Sequence, residues 1–334
     1  VGRSLLLLVT LGLAVHILLP QITALESSLQ ILRHLRWWAL CLAVVAQVLS
    51  YVGAGYLLHA IARLVGARVA ILRGMLITLA ASSLGLLGSG TMGFGAASYR
   101  WMRRSEVSAE GAMLAGWVPT VLNSAAQLAA AVFGVSYLLL LHRLTPLLAT
   151  AFLVILCILL AVAGALYLST RNRSRTVRVL VRLAGRWASL RHRTFDAPAA
   201  RASADRMVGA MARLGHGGWR GPARGSALDI GFDMLTLFFL FLAAGHPISP
   251  GTLLAGYGLP LLLGKLTLLP GGVGIVEGAM AAMYEGLGVP RGVAVVVILT
   301  YRLLSFWLPT LLGIPLILYF QRSDSRVPDA PRGP

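Results

Sequence analysis

The chain has 334 residues, of which 57% are hydrophobic and 12% charged, and its mean hydropathy is +0.80. That balance excludes a soluble domain, because several runs approach the ~20 apolar residues that cross a bilayer. The formal charge of +18 is carried by arginines that punctuate apolar runs instead of gathering on a domain, which argues against nucleic acid and for loops facing anionic headgroups.

The predicted fold class is an all-α polytopic membrane protein. A first span covers residues 5–22; it lacks the small-residue cleavage site of a signal peptide. Trp37 and Trp38 anchor the start of a second span at 39–61. Arg63, Arg68 and Arg73 follow in a basic loop. Residues 75–99 begin apolar and then turn rich in Gly and Ser, with Gly93 and Gly95 expected to break the helix. Such backbone survives at membrane depth only where protein or a cavity covers it, so this stretch reads as re-entrant. Arg100, Arg103 and Arg104 close it. A long span at 109–141 carries Pro119, Asn123 and Gln127. Another span is expected at 147–168. Cys41 and Cys157 fall inside apolar runs and read as packed thiols, not as a disulfide framework.

Residues 171–224 are different material, with thirteen arginines and two aspartates. Arg175, Arg178, Arg182 and Arg186 recur at helical spacing, with Val177 and Val181 on another face. This pattern predicts a basic amphipathic helix on the inner leaflet. A Gly-rich linker at 215–225 then leads to a span at 227–244 that opens with Asp229 and Asp233. Residues 251–288 hold the second irregular stretch. Within it lie Lys265, which is the only lysine in the chain, then Pro270, Gly271, Gly272, Gly274 and Glu277. The last span, at 293–320, contains Arg302. Residues 321–334 read as a disordered tail.

Charge bias sets a topology. If 75–99 and 251–288 each enter and leave on one side, every strongly basic loop and both termini are cytoplasmic. Six full spans and two re-entrant elements result, in a cell inner membrane. Sliding the chain by 179 residues places Gly93 and Gly95 on Gly272 and Gly274, Glu106 on Glu285, and Gly134 on Gly313. Asn123 falls on Arg302. An inverted structural repeat is therefore expected. The halves are 1–170 and 225–320, separated by the cytoplasmic loop 171–224. Transporters built this way place their site at the repeat interface.

Arg100, Lys265, Glu277 and Arg302 are ionisable groups in or beside apolar sequence, each costing about 2.5–3.5 kcal/mol at a bilayer centre. They pair with one another or line a wet cavity. The basic members are expected to hold a lipid phosphate and Glu277 a cationic group or a proton, while Asp229 and Asp233 are candidate headgroup contacts near the inner boundary. The half-helices after Gly95 and Gly272 could turn their N-termini towards an anion. Gly258 to Lys265 mimics a phosphate-binding loop, but its glycine spacing is one residue too long and Leu266 replaces the hydroxyl that holds magnesium. No metal-ligand spacing or nucleophile elbow is present. No catalytic residue, metal or cofactor is expected.

The motif LPGGVGIVE at residues 269–277, followed by Tyr301-Arg302 and Trp307-Leu-Pro309, resembles the lysylphosphatidylglycerol synthase transmembrane-region family. That is the flippase part of bacterial multiple-peptide-resistance proteins, which also occurs as stand-alone membrane proteins. The likeness covers roughly residues 5–320, with Gly93 to Arg100 as a looser counterpart that lacks the proline expected near Thr91. It implies translocation of a lipid between leaflets. It points at Pro270, Gly271, Gly272, Gly274, Glu277 and Arg302, and more weakly at Arg100. No synthase domain is expected after residue 320, so either a separate protein supplies an aminoacylated phospholipid or the lipid is another, such as a polyprenyl-linked, glycolipid or hopanoid species. Two rival readings stay open: a scaffold that docks a lipid-modifying enzyme on the 171–224 loop, and a membrane enzyme with Glu277 as acid or base. A second copy of the chain is a further partner to consider.

Overall fold

The structure is a computed structural model. It describes residues 35–87, 91–140, 196–266 and 270–324, with scattered positions between 150 and 186. The described residues are helical, without strands. In chain order they form α1 (Trp37–Leu64), α2 (Ile71–Leu87), α3 (Thr91–Arg104), α4 (Ala109–Leu140), α5 (Ala197–Arg213), α6 (Arg220–Ala243), α7 (Pro250–Leu266), α8 (Ile275–Gly286), α9 (Arg291–Arg302) and α10 (Leu308–Asp324). A π-turn, Leu303–Trp307, joins α9 to α10 into one long rod. Among the described residues, four helices are long and apolar enough to cross a membrane: α1, α4, α6 and this rod. The expected span at 5–22 lies outside the described residues, as does most of that at 147–168.

The π-turn has a local cause. Pro309 has no N–H to offer the carbonyl of Ser305, one turn earlier. The Tyr51 hydroxyl on α1 takes up that carbonyl at 3.0 Å. Helix irregularity here therefore presents a polar atom to a neighbour, and it does so at the centre of the molecule.

α1 and α6 pack side by side along their length, antiparallel. The Arg36 N–H donates to the Ala243 carbonyl at one end, and Gly225 abuts Leu57 at the other. The element boundaries recur at the spacing seen in the sequence: α2 and α7 begin and end 179 residues apart, and α1 and α6 end 179 apart. Ser50 and Asp229, also 179 apart, are hydrogen-bonded to each other at 2.8 Å. The rod α9–α10 packs on α2 much as α4 packs on α7. The two packings differ in register: Gly134 meets Ala255, whereas Gly313 meets Leu79, the counterpart of Gly258. The offset is close to one helical turn.

Several expectations are corrected. Gly93 and Gly95 do not break a helix; both lie inside α3, which begins at Thr91. Their role is close approach, with Gly93 against the Leu84 backbone and Gly95 against that of Gly116. The stretch at 215–225 is mostly helical, because α6 starts at Arg220 and its small residues seat against α1. Asp229 and Asp233 consequently sit near the middle of α6, not at its mouth. At the loop helix, Val177 and Val181 pack against Ala204 and Val208 of α5, so protein covers that apolar face. Cys41 and Cys157 are exposed, on outward faces of the bundle. The C-terminal helix runs on to Asp324; the rest of the expected tail lies outside the described residues.

Candidate functional site

Two polar centres emerge, both in the heart of the bundle. The first is built on the break between α7 and α8. Gly271, Gly272 and Gly274 have φ of +66°, +62° and +84°, a region that L side chains rarely adopt. This lets the chain double back within a few residues. Glu277, in the first turn of α8, accepts the Gly274 N–H at 2.7 Å. Its other oxygen accepts from Arg302 Nε at 2.6 Å. Arg302 also donates to the Gly271 carbonyl at 2.9 Å and lies over the Phe306 ring at 4.2 Å. Glu277 and Arg302 are only 3% and 5% exposed. The pair therefore ties the break, α8 and the last span into one unit. The N-terminus of α8 already faces the chain's own carboxylate, so an outside anion would have to compete with it.

The second centre is a cavity of about 220 Å³ between α1, α2, α4 and α6. Asp229 and Asp233, one turn apart on α6, face it together with Gln47, Ser50 and Asn123. Asp229 accepts from Ser50 and from Asn123, each at 2.8 Å. Asn123 accepts in turn from Ser226 at 2.7 Å. Asp233 accepts from the Tyr257 and Tyr301 hydroxyls, both at 2.6 Å. These tyrosines are fully buried and close the side of the cavity towards α7 and α9. Tyr301→Phe is expected to cost about 1.5 kcal/mol, since a donor to a buried charged group is lost; thermal unfolding in detergent would measure it.

The charged residues of the sequence reading are thus sorted by the fold. Asp229 and Asp233 line the cavity. Glu277 and Arg302 stand behind its tyrosine wall, paired. Lys265, at the end of α7, donates to Ser124 at 3.0 Å, next to the cavity residue Asn123. Arg100 is exposed on α3 and does not line the cavity. Gln47, Ser50, Tyr51, Tyr257 and Tyr301 are cavity or wall residues that carried no charge signal. The spacing of Gln47, Ser50 and Tyr51, which puts polar atoms on one face of an apolar helix, was the available clue.

The α3–α4 pair separates this cavity from a second space. Phe94 and Asn123 face the polar cavity, while Met92, Gly95, Trp117 and Val121 line an open apolar groove of about 490 Å³.

A family model, the lysylphosphatidylglycerol synthase TM region, matches residues 5–313. The chain belongs to this family. It is similar to UPF0104 membrane proteins of archaea. The matches include one from Pyrococcus horikoshii at 38% identity over 88 residues, 26% of each chain. Another is from Methanothermobacter thermautotrophicus at 34% over 93 residues, 28% of each. A third, from Methanocaldococcus jannaschii, is 36% identical over 91 residues, 27% of each. The matched stretch spans about a quarter of the length of these relatives. Family membership and the four long apolar helices make this a polytopic α-helical membrane protein.

Proposed function

We propose that the protein moves a lipid between the leaflets of a cell membrane. The observation that carries this reading is the pairing of a polar cavity with an apolar groove on the two sides of α3 and α4. A molecule with a polar head and apolar tails has matching environments there, with Gly95 and Gly116 in close backbone contact in the partition between them. The protein binds and releases its lipid without making a bond. The family's name refers to a lipid synthase, which supports a lipid as the cargo.

An inverted repeat is the architecture we infer for this task. Its support is the recurrence of helix boundaries at 179 residues and the bond between the counterparts Ser50 and Asp229. An antiparallel pair related by a two-fold axis meets its own counterpart at that axis. The cavity would then lie at the repeat interface, near mid-membrane. The one-turn register difference between the α4–α7 and α10–α2 packings supports a state open more to one side than the other. On the charge bias the basic loop and both termini face the cytoplasm. On the same bias, the stretches 75–99 and 251–288 are read as re-entrant elements.

Reconstitution into liposomes with head-labelled lipids tests the proposal. Leaflet exchange should exceed that of protein-free vesicles, and Asp229→Asn should lower it at least tenfold while the protein stays folded and monodisperse. No acceleration for anionic, zwitterionic or polyprenyl-linked lipids would sink the reading. A new lipid product by mass spectrometry would replace it with an enzyme.

A further inference from the structure

The cavity has a chemical bias beyond its two carboxylates. Its hydroxyl protons are already committed to protein acceptors. Ser50 donates to Asp229, Tyr51 to the Ser305 carbonyl, Thr78 to the Gly74 carbonyl and Ser82 to the Thr78 carbonyl. The Asn123 amide also donates to Asp229. The acceptors lining the space include the carboxylates of Asp229 and Asp233 and the Gln47 amide. Gln47 sharpens this. It is only 6% exposed and lines the cavity, as Asp233 does. Its Oε1 is buried with no hydrogen-bond partner. An orphaned buried acceptor is costly and calls for an explanation such as a bound ion.

The nearby basic side chains do not supply that partner. Arg302 is spent on Glu277 and the Gly271 carbonyl, and Lys265 on Ser124. Their fields still reach the carboxylates and offset part of the negative charge. Among the described residues no third carboxylate, histidine or cysteine joins the two aspartates. Two carboxylates plus neutral oxygens, tempered by two nearby cations, suit a hard monovalent ion better than a divalent one.

We propose that the cavity binds a free monovalent alkali cation, sodium by its hard oxygen set, held between Asp229, Asp233 and the Gln47 carbonyl oxygen. Under the transport reading above, this ion is the coupling partner of the lipid. The binding itself does not rest on that reading.

The test uses the whole purified chain in lipid nanodiscs. Thermal unfolding is followed in sodium chloride, potassium chloride and N-methylglucamine chloride at constant ionic strength. Sodium should raise the melting temperature saturably, by roughly 5 °C when well above its dissociation constant. Sodium-22 binding to the wild-type protein should saturate at one ion per chain. Asp229→Asn and Gln47→Leu should each weaken that binding at least tenfold, and Gln47→Leu leaves both carboxylates in place. Equal melting temperatures in sodium and N-methylglucamine, or no saturable sodium-22 binding, would overturn the proposal. So would stabilisation by ethanolammonium but not by sodium, which would assign the site to a headgroup amine. A liposome assay without lipid exchange, alongside sodium binding, would reject the transport reading and leave the ion site standing.

Discussion

Glu277→Ala is expected to destabilise the protein by about 3–5 kcal/mol, the cost of stranding one member of a buried ion pair. Two losses add up at this position. Arg302 keeps its charge in a site that is 5% exposed, with only the Gly271 carbonyl and the Phe306 ring left to it. The Gly274 N–H loses its acceptor at the start of α8. Glu277→Gln should fall between, because the amide oxygen can still accept from Gly274 while the charge is gone. Combining Glu277→Ala with Arg302→Met should recover much of the loss, since no unpaired charge remains. Thermal unfolding in detergent would follow all three variants. A single alanine variant as stable as the parent would show that the pair is not the tie between the helix break and the last span.

Gly134→Val and Gly313→Val should each cost about 3 kcal/mol, the upper end for an overpacked core. At Gly134 a Cβ would run into the backbone of Leu254 and Ala255; at Gly313 it would meet the Ser83 hydroxyl and, behind it, the Leu79 backbone. The helices α4 and α7, and α10 and α2, would have to separate. The two positions lie 179 residues apart, so under the inferred repeat similar losses are expected at both. The variants would be compared by melting temperature and by yield of monodisperse protein. A valine tolerated at Gly313 but not at Gly134 would mean that the α10–α2 packing is the looser of the two.

These outcomes separate two kinds of information. The four long spans among the described residues and the break around Pro270 were legible in the sequence, because lipid penalises each violation of apolarity or helicity strongly enough to leave a mark. That the buried charges of the second half would need partners or a wet cavity was foreseeable for the same reason, since none is tolerable alone in apolar surroundings. Gly93 and Gly95 were misread, because glycine serves both to break helices and to let them touch. Only the neighbours, Leu84 and Gly116, distinguish the two uses.

The cavity belongs to the second kind. Its polar lining is spread over α1, α2, α4 and α6, and most of it is neutral. Ser50, Asn123 and Asp229 are far apart along the chain and converge only when α1, α4 and α6 pack. By itself the sequence determined that this is a helical membrane protein whose second half carries buried charge, since hydropathy and charge are properties of single residues. Tertiary structure alone decided that Glu277 and Arg302 neutralise each other while Asp229 and Asp233 face an open space. Pairing and exposure are properties of neighbours, and packing is what supplies them.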